Sequence, residues 1–189
     1  MKILVLDNYD SFTYNLVHYI EDLLKIKIDV FRNDKIDLEN VNNYDKIILS
    51  PGPGLPSEAG ILKNLVKEYA SKKSILGICL GMQAIAEVFG GSLINLQDVY
   101  HGVATQIIQK EFDKHLFTEI PQQFIAGRYH SWIVDEKYLP ACFRISSVDI
   151  NNLIMSIFHE TYDLRGVQFH PESILTPLGK KMIDNWLKM

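Results

Sequence analysis

Ile3-Leu4-Val5-Leu6 is an unbroken aliphatic run, the pattern of a strand covered on both faces in a parallel sheet. Over residues 11–24 the period changes: Phe12, Leu16, Tyr19, Ile20 and Leu23 recur every three or four positions, which predicts a helix with Asp10 or Ser11 at its cap. Lys27–Phe31 and Ile47–Leu49 read as two more strands. The segment from Ser50 to Pro56 holds three prolines and two glycines, so it is neither helix nor central strand. Ile61, Leu62, Leu65, Val66 and Tyr69 form one stripe of a helix over 58–71, Ser74–Ile78 is a strand, and Met82–Phe89 is a short apolar helix that Gly90-Gly91 ends.

The first ninety residues therefore alternate β, α, β, β, α, β, α. That order predicts a doubly wound, flavodoxin-like α/β fold with a mostly parallel sheet. Beyond Ser92 the helical period fades. Short segments at 105–109, 124–129, 143–147, 154–158 and 166–169 predict an antiparallel extension of that sheet, and a last helix over 177–188 begins at Pro177. No linker or repeat divides the chain, so residues 1–189 are expected to form one domain. A chain of this length buries roughly 70% of the surface its unfolded form exposes, enough for a core without staples.

Charge narrows the partners. Nineteen Lys and Arg against 23 Asp and Glu leave a net charge of −4, which argues against a nucleic acid or an anionic membrane surface. The two cysteines, Cys79 and Cys142, are too few for a disulfide framework, and a reducing, cytoplasmic setting is expected. The start of the chain reaches a charge after four apolar residues, too soon for a signal peptide, and no apolar run approaches the ~20 residues of a membrane span. The six histidines show no metal-ligand spacing, and neither a dinucleotide nor a P-loop fingerprint occurs.

Gly77-Ile78-Cys79-Leu80-Gly81 lies where a strand meets a helix. It is the thiol counterpart of the nucleophile elbow, whose tight turn leaves no room for side chains two residues either side of the reactive one. A helix N-terminus favours a thiolate over a thiol, and the Leu80 N–H would point at an oxyanion formed above Cys79. The pentapeptide alone also fits a buried cysteine between packing glycines. His170 and Glu172, two residues apart across Pro171, offer a base and an acceptor to orient it, although most such neighbours are solvated surface residues. Cys142 has no flanking glycines and is assigned to the core. The Pro51–Pro56 loop follows the C-terminal end of a strand, where open α/β sheets bind ligands, or is simply a rigid turn.

Taken in order, Pro51-Gly52-Pro53-Gly54, Gly77–Gly81 and His170-Pro171-Glu172 resemble the triad-type class I glutamine amidotransferases. Asp7–Asn15, Gly127–Ser131 and Gly166–Thr176 resemble one branch of them, the glutaminase subunits of anthranilate synthase and aminodeoxychorismate synthase, and the likeness runs through essentially the whole chain. The resemblance implies that Cys79 attacks the side-chain amide of L-glutamine, His170 moves protons and Glu172 orients His170. It implies an oxyanion hole at Gly52 and Leu80, and glutamine contacts at Gly52, Gly54, Gln83, Ser131 and Trp132. It further implies no cofactor in this chain, and a chorismate-using synthase subunit that carries the magnesium site and takes the ammonia in a hetero-oligomer. His101 and Gly102 would contribute to that coupling or serve the fold. Two positions depart from the family: Trp132 stands where Leu is frequent, and Tyr100 where Met is frequent, facing the partner. The rival expectations are a stand-alone thiol hydrolase and a non-catalytic binding module on the same scaffold.

Overall fold

A computed structural model describes residues 1–189. Its strands and helices, in chain order, are β1 (Ile3–Asp7), α1 (Thr13–Leu24), β2 (Asp29–Arg32), β3 (Lys46–Leu49), α2 (Leu62–Tyr69), β4 (Ser74–Ile78) and α3 (Leu80–Val88). There follow β5 (Leu93–Asn95), β6 (Val103–Gln109), β7 (Gln123–Arg128), β8 (Trp132–Val134), β9 (Phe143–Asp149), β10 (Ile154–His159), β11 (Leu164–Val167) and α4 (Gly179–Leu187). Nine strands form one sheet in the order β2-β1-β3-β4-β11-β10-β9-β6-β7. Its first five strands are parallel to one another, and from β11 onward the neighbours run antiparallel.

The aliphatic runs of the sequence are explained by cover on both faces. Leu4 and Leu6 of β1 pack with Ile47, Leu49 and Leu80 in one core, whereas Ile3 and Val5 pack with Ile48, Ile78 and Trp186 in the other. Alternate residues of one strand thus serve opposite layers. Helices α2 and α3 supply the first layer, and α1 and α4 the second.

The sequence and structure differ at several boundaries. Neither Asp10 nor Ser11 caps α1; Phe12 occupies the cap position, and the Asp10 carboxylate instead accepts the Phe12 N–H at 2.8 Å. The helix expected over 58–71 is broken, because Gly60 takes φ +52° where a Cβ would lie 2.5 Å from the Asn33 carbonyl. A short 3-10 turn at Pro56–Glu58 precedes α2. Helix α3 starts at Leu80, not Met82, and α4 starts at Gly179, not Pro177. The strand expected at 166–169 is β11, shifted back to Leu164–Val167. Strands β5 and β8 were not expected and pair as a separate two-stranded ribbon. Cys142 is half-buried, packing against the core rather than inside it. The Gly90-Gly91 stop forms as expected: the Gly90 and Gly91 N–H groups bond Glu87 and Ala86 carbonyls at 3.0 and 2.9 Å, the Schellman arrangement. No helix is long and apolar enough to cross a membrane.

Candidate active site

The strand order places β4 beside β11, with Ile78 opposite Val167, so the residues following each strand emerge at one edge of the sheet. Cys79 follows the first and the Gln168–Glu172 segment the second. The Cys79 N–H bonds the Val167 carbonyl at 2.7 Å, fixing the elbow to the neighbouring strand. Cys79 adopts φ 51°, ψ −101°, a conformation that strains any residue with a side chain by roughly 1–3 kcal/mol and persists only where the surroundings enforce it.

The flanking glycines supply that enforcement. A Cβ on Gly77 would lie 2.5 Å from the Gly81 backbone, and one on Gly81 would lie 2.6 Å from the Leu49 carbonyl. Gly166 of β11 abuts Met82 of α3 in the same way, at 2.7 Å. Strand and helix therefore approach as closely as backbone allows, and the thiol is held at the N-terminal end of α3.

Opposite the elbow, the Pro51–Pro56 loop is tied to the end of β1. The Asn8 N–H and side-chain amide bond Ser50 Oγ and O, both at 2.8 Å. A Cβ on Gly52 would come 2.6 Å from Asn8 and 2.8 Å from the Leu80 side chain, so the two residues expected to hold an oxyanion are packed together. Leu80 opens α3, and its N–H has no helical acceptor four residues back. Gly54 takes φ +71°, a left-handed turn that favours glycine.

His170 and Glu172 are each 2% exposed, and the imidazole Nδ1 lies 2.6 Å from the Glu172 carboxylate. Burial alone would lower the His170 pKa, but the Cys79 sulfur and the Glu172 carboxylate outweigh it and hold the ring well above its ordinary value. Nε2 faces Cys79 without a well-aligned hydrogen bond to it or to any other atom. Phe12 and Tyr129 close on the ring, with centroids 6.1 and 4.8 Å away. Thr176 locks the turn: its hydroxyl donates to the His170 carbonyl at 2.6 Å and accepts the Gly127 N–H at 2.9 Å. Sequence reasoning gave Thr176 no role, although the Gly166–Thr176 motif contains it.

Cys79, Gly52 and His170 line a common cavity that continues over Gln83, Gly54, Ser131 and Trp132, where its volume is about 320 Å³. Every expected site residue except Glu172 and Leu80 borders this space, and those two stand directly behind it. Gln83 donates its amide to the Trp132 carbonyl at 2.9 Å, and the Ser131 carbonyl accepts the Leu96 N–H at 2.7 Å. A separate cavity, about 600 Å³, lies at the other end of the sheet around Asp113, Asp163 and Arg165. Its guanidinium is already paired with both acids, and no cysteine borders it.

Behind the cavity wall lies a charged network that the sequence did not announce. Fully buried Arg128 pairs with Asp149 at 2.7 Å, donates through Nε to His130 Nε2 at 3.1 Å, and lies 3.5 Å over the Tyr100 ring. Tyr100 thus stacks on Arg128 and His130. Burial, then Arg128 and His170, push His130 down to about 3. The unfolded chain takes up this proton below about 6.5, whereas the folded chain refuses it until about 3, so stability falls with pH through that window. Between pH 7 and pH 5 wild type is expected to lose about 2 kcal/mol more than a His130→Asn variant, measured by urea unfolding. Equal losses would place His130 outside this linkage.

Fold and site together define a class: an α/β protein that presents a strained cysteine at a strand–helix junction, beside a carboxylate-paired histidine carried by the adjacent strand. The sequence profile described as glutamine amidotransferase class-I matches residues 4–189, and the chain belongs to that family. A protein of Bacillus subtilis named aminodeoxychorismate/anthranilate synthase component 2 is 43% identical, over 98% of this chain and 95% of its own. Anthranilate synthase component 2 of Porphyra purpurea is 44% identical, over 98% of both chains. The bifunctional protein TrpGD of Thermotoga maritima is 41% identical over 100% of this chain, which spans only 32% of that longer relative. In fold, the chain superposes on a crystal structure of a glutamine amidotransferase from Thermotoga maritima with a TM-score of 0.80 at 15% identity, covering 100% and 96% of the two chains.

Proposed function

We propose that this chain is the glutaminase component of anthranilate synthase, releasing ammonia from L-glutamine for a chorismate-using synthase subunit in tryptophan biosynthesis. The carrying observation is that Cys79 and His170 border one cavity, with Gly52 and Leu80 packed against each other beside the sulfur. In this reading the Cys79 thiolate attacks the side-chain amide carbon, and the N–H groups of Gly52 and Leu80 receive the oxyanion. His170, held protonated, gives its Nε2 proton to the departing ammonia. It then takes a proton from the water that cleaves the thioester to glutamate. Glu172 fixes the ring through Nδ1. Gln83, Gly54 and the backbone at Ser131 and Trp132 seat the rest of the glutamine.

Component 2 relatives support the partner, and we assign the chorismate and magnesium sites to that synthase subunit in a cytoplasmic hetero-oligomer. The name of the Bacillus subtilis relative supports a second reading, supply of ammonia to aminodeoxychorismate synthase in folate biosynthesis, or service to both. The test is glutamine hydrolysis with and without the cognate synthase, followed by product analysis. Hydrolysis is expected to rise at least about tenfold on binding, equivalent to about 1.4 kcal/mol of barrier. Equal rates would favour a stand-alone thiol hydrolase. Anthranilate or aminodeoxychorismate as the product separates the two pathways.

A further inference from the structure

Gln168, two residues before His170, is completely buried, yet it carries an amide. Burying an amide is unfavourable unless its polar atoms find partners, and an apolar side chain of equal size would fill the same space without that requirement. Here the partners are specific. Gln168 Nε2 donates to Cys79 Sγ at 3.4 Å, and Gln168 Oε1 accepts from Gln83 Nε2 at 3.3 Å. The other Gln83 donor goes to the Trp132 carbonyl at 2.9 Å, which fixes the sense of both amides. The backbone N–H of Gln168 is bonded separately, to the Met155 carbonyl at 2.8 Å, so the side chain is not needed to satisfy its own strand.

We propose that Gln168 is a positioning residue for the reaction at Cys79: its amide N–H holds the sulfur in place and stabilises the anionic form, while Gln83 anchors its oxygen. The proposal rests on the hydrolytic reading above only for its catalytic consequence; its action on the sulfur is tested without glutamine. Cys79 as a residue is only 6% exposed, leaving little water to solvate a negative charge on it, so a fixed donor pointing at the sulfur replaces that solvation. The chain Trp132–Gln83–Gln168–Cys79 also runs from the wall of the cavity to the sulfur, joining a residue proposed to contact glutamine to the group that would attack it.

The test is the rate at which iodoacetamide alkylates Cys79, followed by mass of the Cys79 peptide so that Cys142 does not interfere, as a function of pH. Gln168→Met keeps the volume and removes the donor. Loss of a hydrogen bond to a charged acceptor is expected to move the midpoint of that profile up by about one pH unit. In the same variant kcat for glutamine hydrolysis is expected to fall about 10- to 100-fold with KM changed less than about threefold. Gln168→Glu preserves shape and the acceptor for Gln83 but lacks the donor, and it serves if the methionine variant does not fold; its midpoint is expected to rise at least as far. Profiles that superimpose on wild type would overturn the proposal. A shifted profile in a protein whose wild type hydrolyses no glutamine, with or without the synthase, would retain Gln168 as the partner of the sulfur and remove the glutaminase reading instead.

Discussion

Cys79→Ser is expected to abolish glutamine-dependent product formation by the assembled synthase while leaving synthesis from added ammonia largely intact. The two assays share every step after ammonia, so only a function confined to ammonia release separates them. A hydroxyl at the elbow keeps the geometry and loses the nucleophile: a serine is almost wholly protonated at neutral pH, whereas even an unperturbed cysteine is a few per cent thiolate. The substitution also removes one of the two groups that hold the His170 ring protonated, leaving Glu172 alone against burial, so less of the ring carries the proton needed by the departing ammonia. The expected loss in glutamine hydrolysis is about 10⁴-fold or more, the scale seen when one member of an interdependent catalytic set is deleted. The strained backbone at φ 51° is indifferent to which heteroatom sits on Cβ, so thermal unfolding of the variant should stay close to wild type. Loss of the ammonia-dependent reaction as well would make Cys79 structural, and retention of both would empty the elbow of chemistry.

What the sequence disclosed follows from which constraints are local. The aliphatic strands β1 and β3 were legible because cover on both faces demands an apolar residue at every position. Gly77 and Gly81 were legible because the turn they flank excludes side chains whatever else surrounds it. The meeting of Cys79 with His170 was not local: it depends on β11 inserting beside β4, a pairing of distant segments that no period reports. The resemblance supplied it. The three-residue strands β5 and β8 were missed because so short a run has no alternation to count. Arg128 and Gln168 were passed over because charged and amide side chains are ordinarily exposed; their burial is possible only through partners, Asp149 and His130 for one, Cys79 and Gln83 for the other.

Gly179→Ala is the substitution expected to do most damage at the least chemical change. At most helical positions alanine is favoured over glycine by about 1 kcal/mol, and Gly179 opens α4 with no left-handed φ to forbid it. Contact decides otherwise. A Cβ there would lie 1.8 Å from the carbonyl oxygen of Pro171, the residue between His170 and Glu172. The obstacle is backbone on both sides, so either α4 or the His170–Glu172 turn must move by more than an ångström. Helix α4 is anchored by fully buried Trp186, Ile183 and Met182, and the turn is anchored by Thr176. With neither side free to yield, unfolding free energy is expected to drop by about 3 kcal/mol, the upper range for overpacking. If the turn is what gives way, a displacement near 1 Å of His170 should lower glutamine hydrolysis about 10²-fold beyond any loss of folded protein. Gly90→Ala is the control: Gly90 takes φ +98° with nothing within 4 Å of its would-be Cβ, so the change strains only the backbone, by about 1 kcal/mol, and leaves the site alone. Urea unfolding together with glutaminase assays on both variants separates the two effects. If Gly179→Ala proved no worse than Gly90→Ala on either measure, the turn that carries His170 would have to be free of α4.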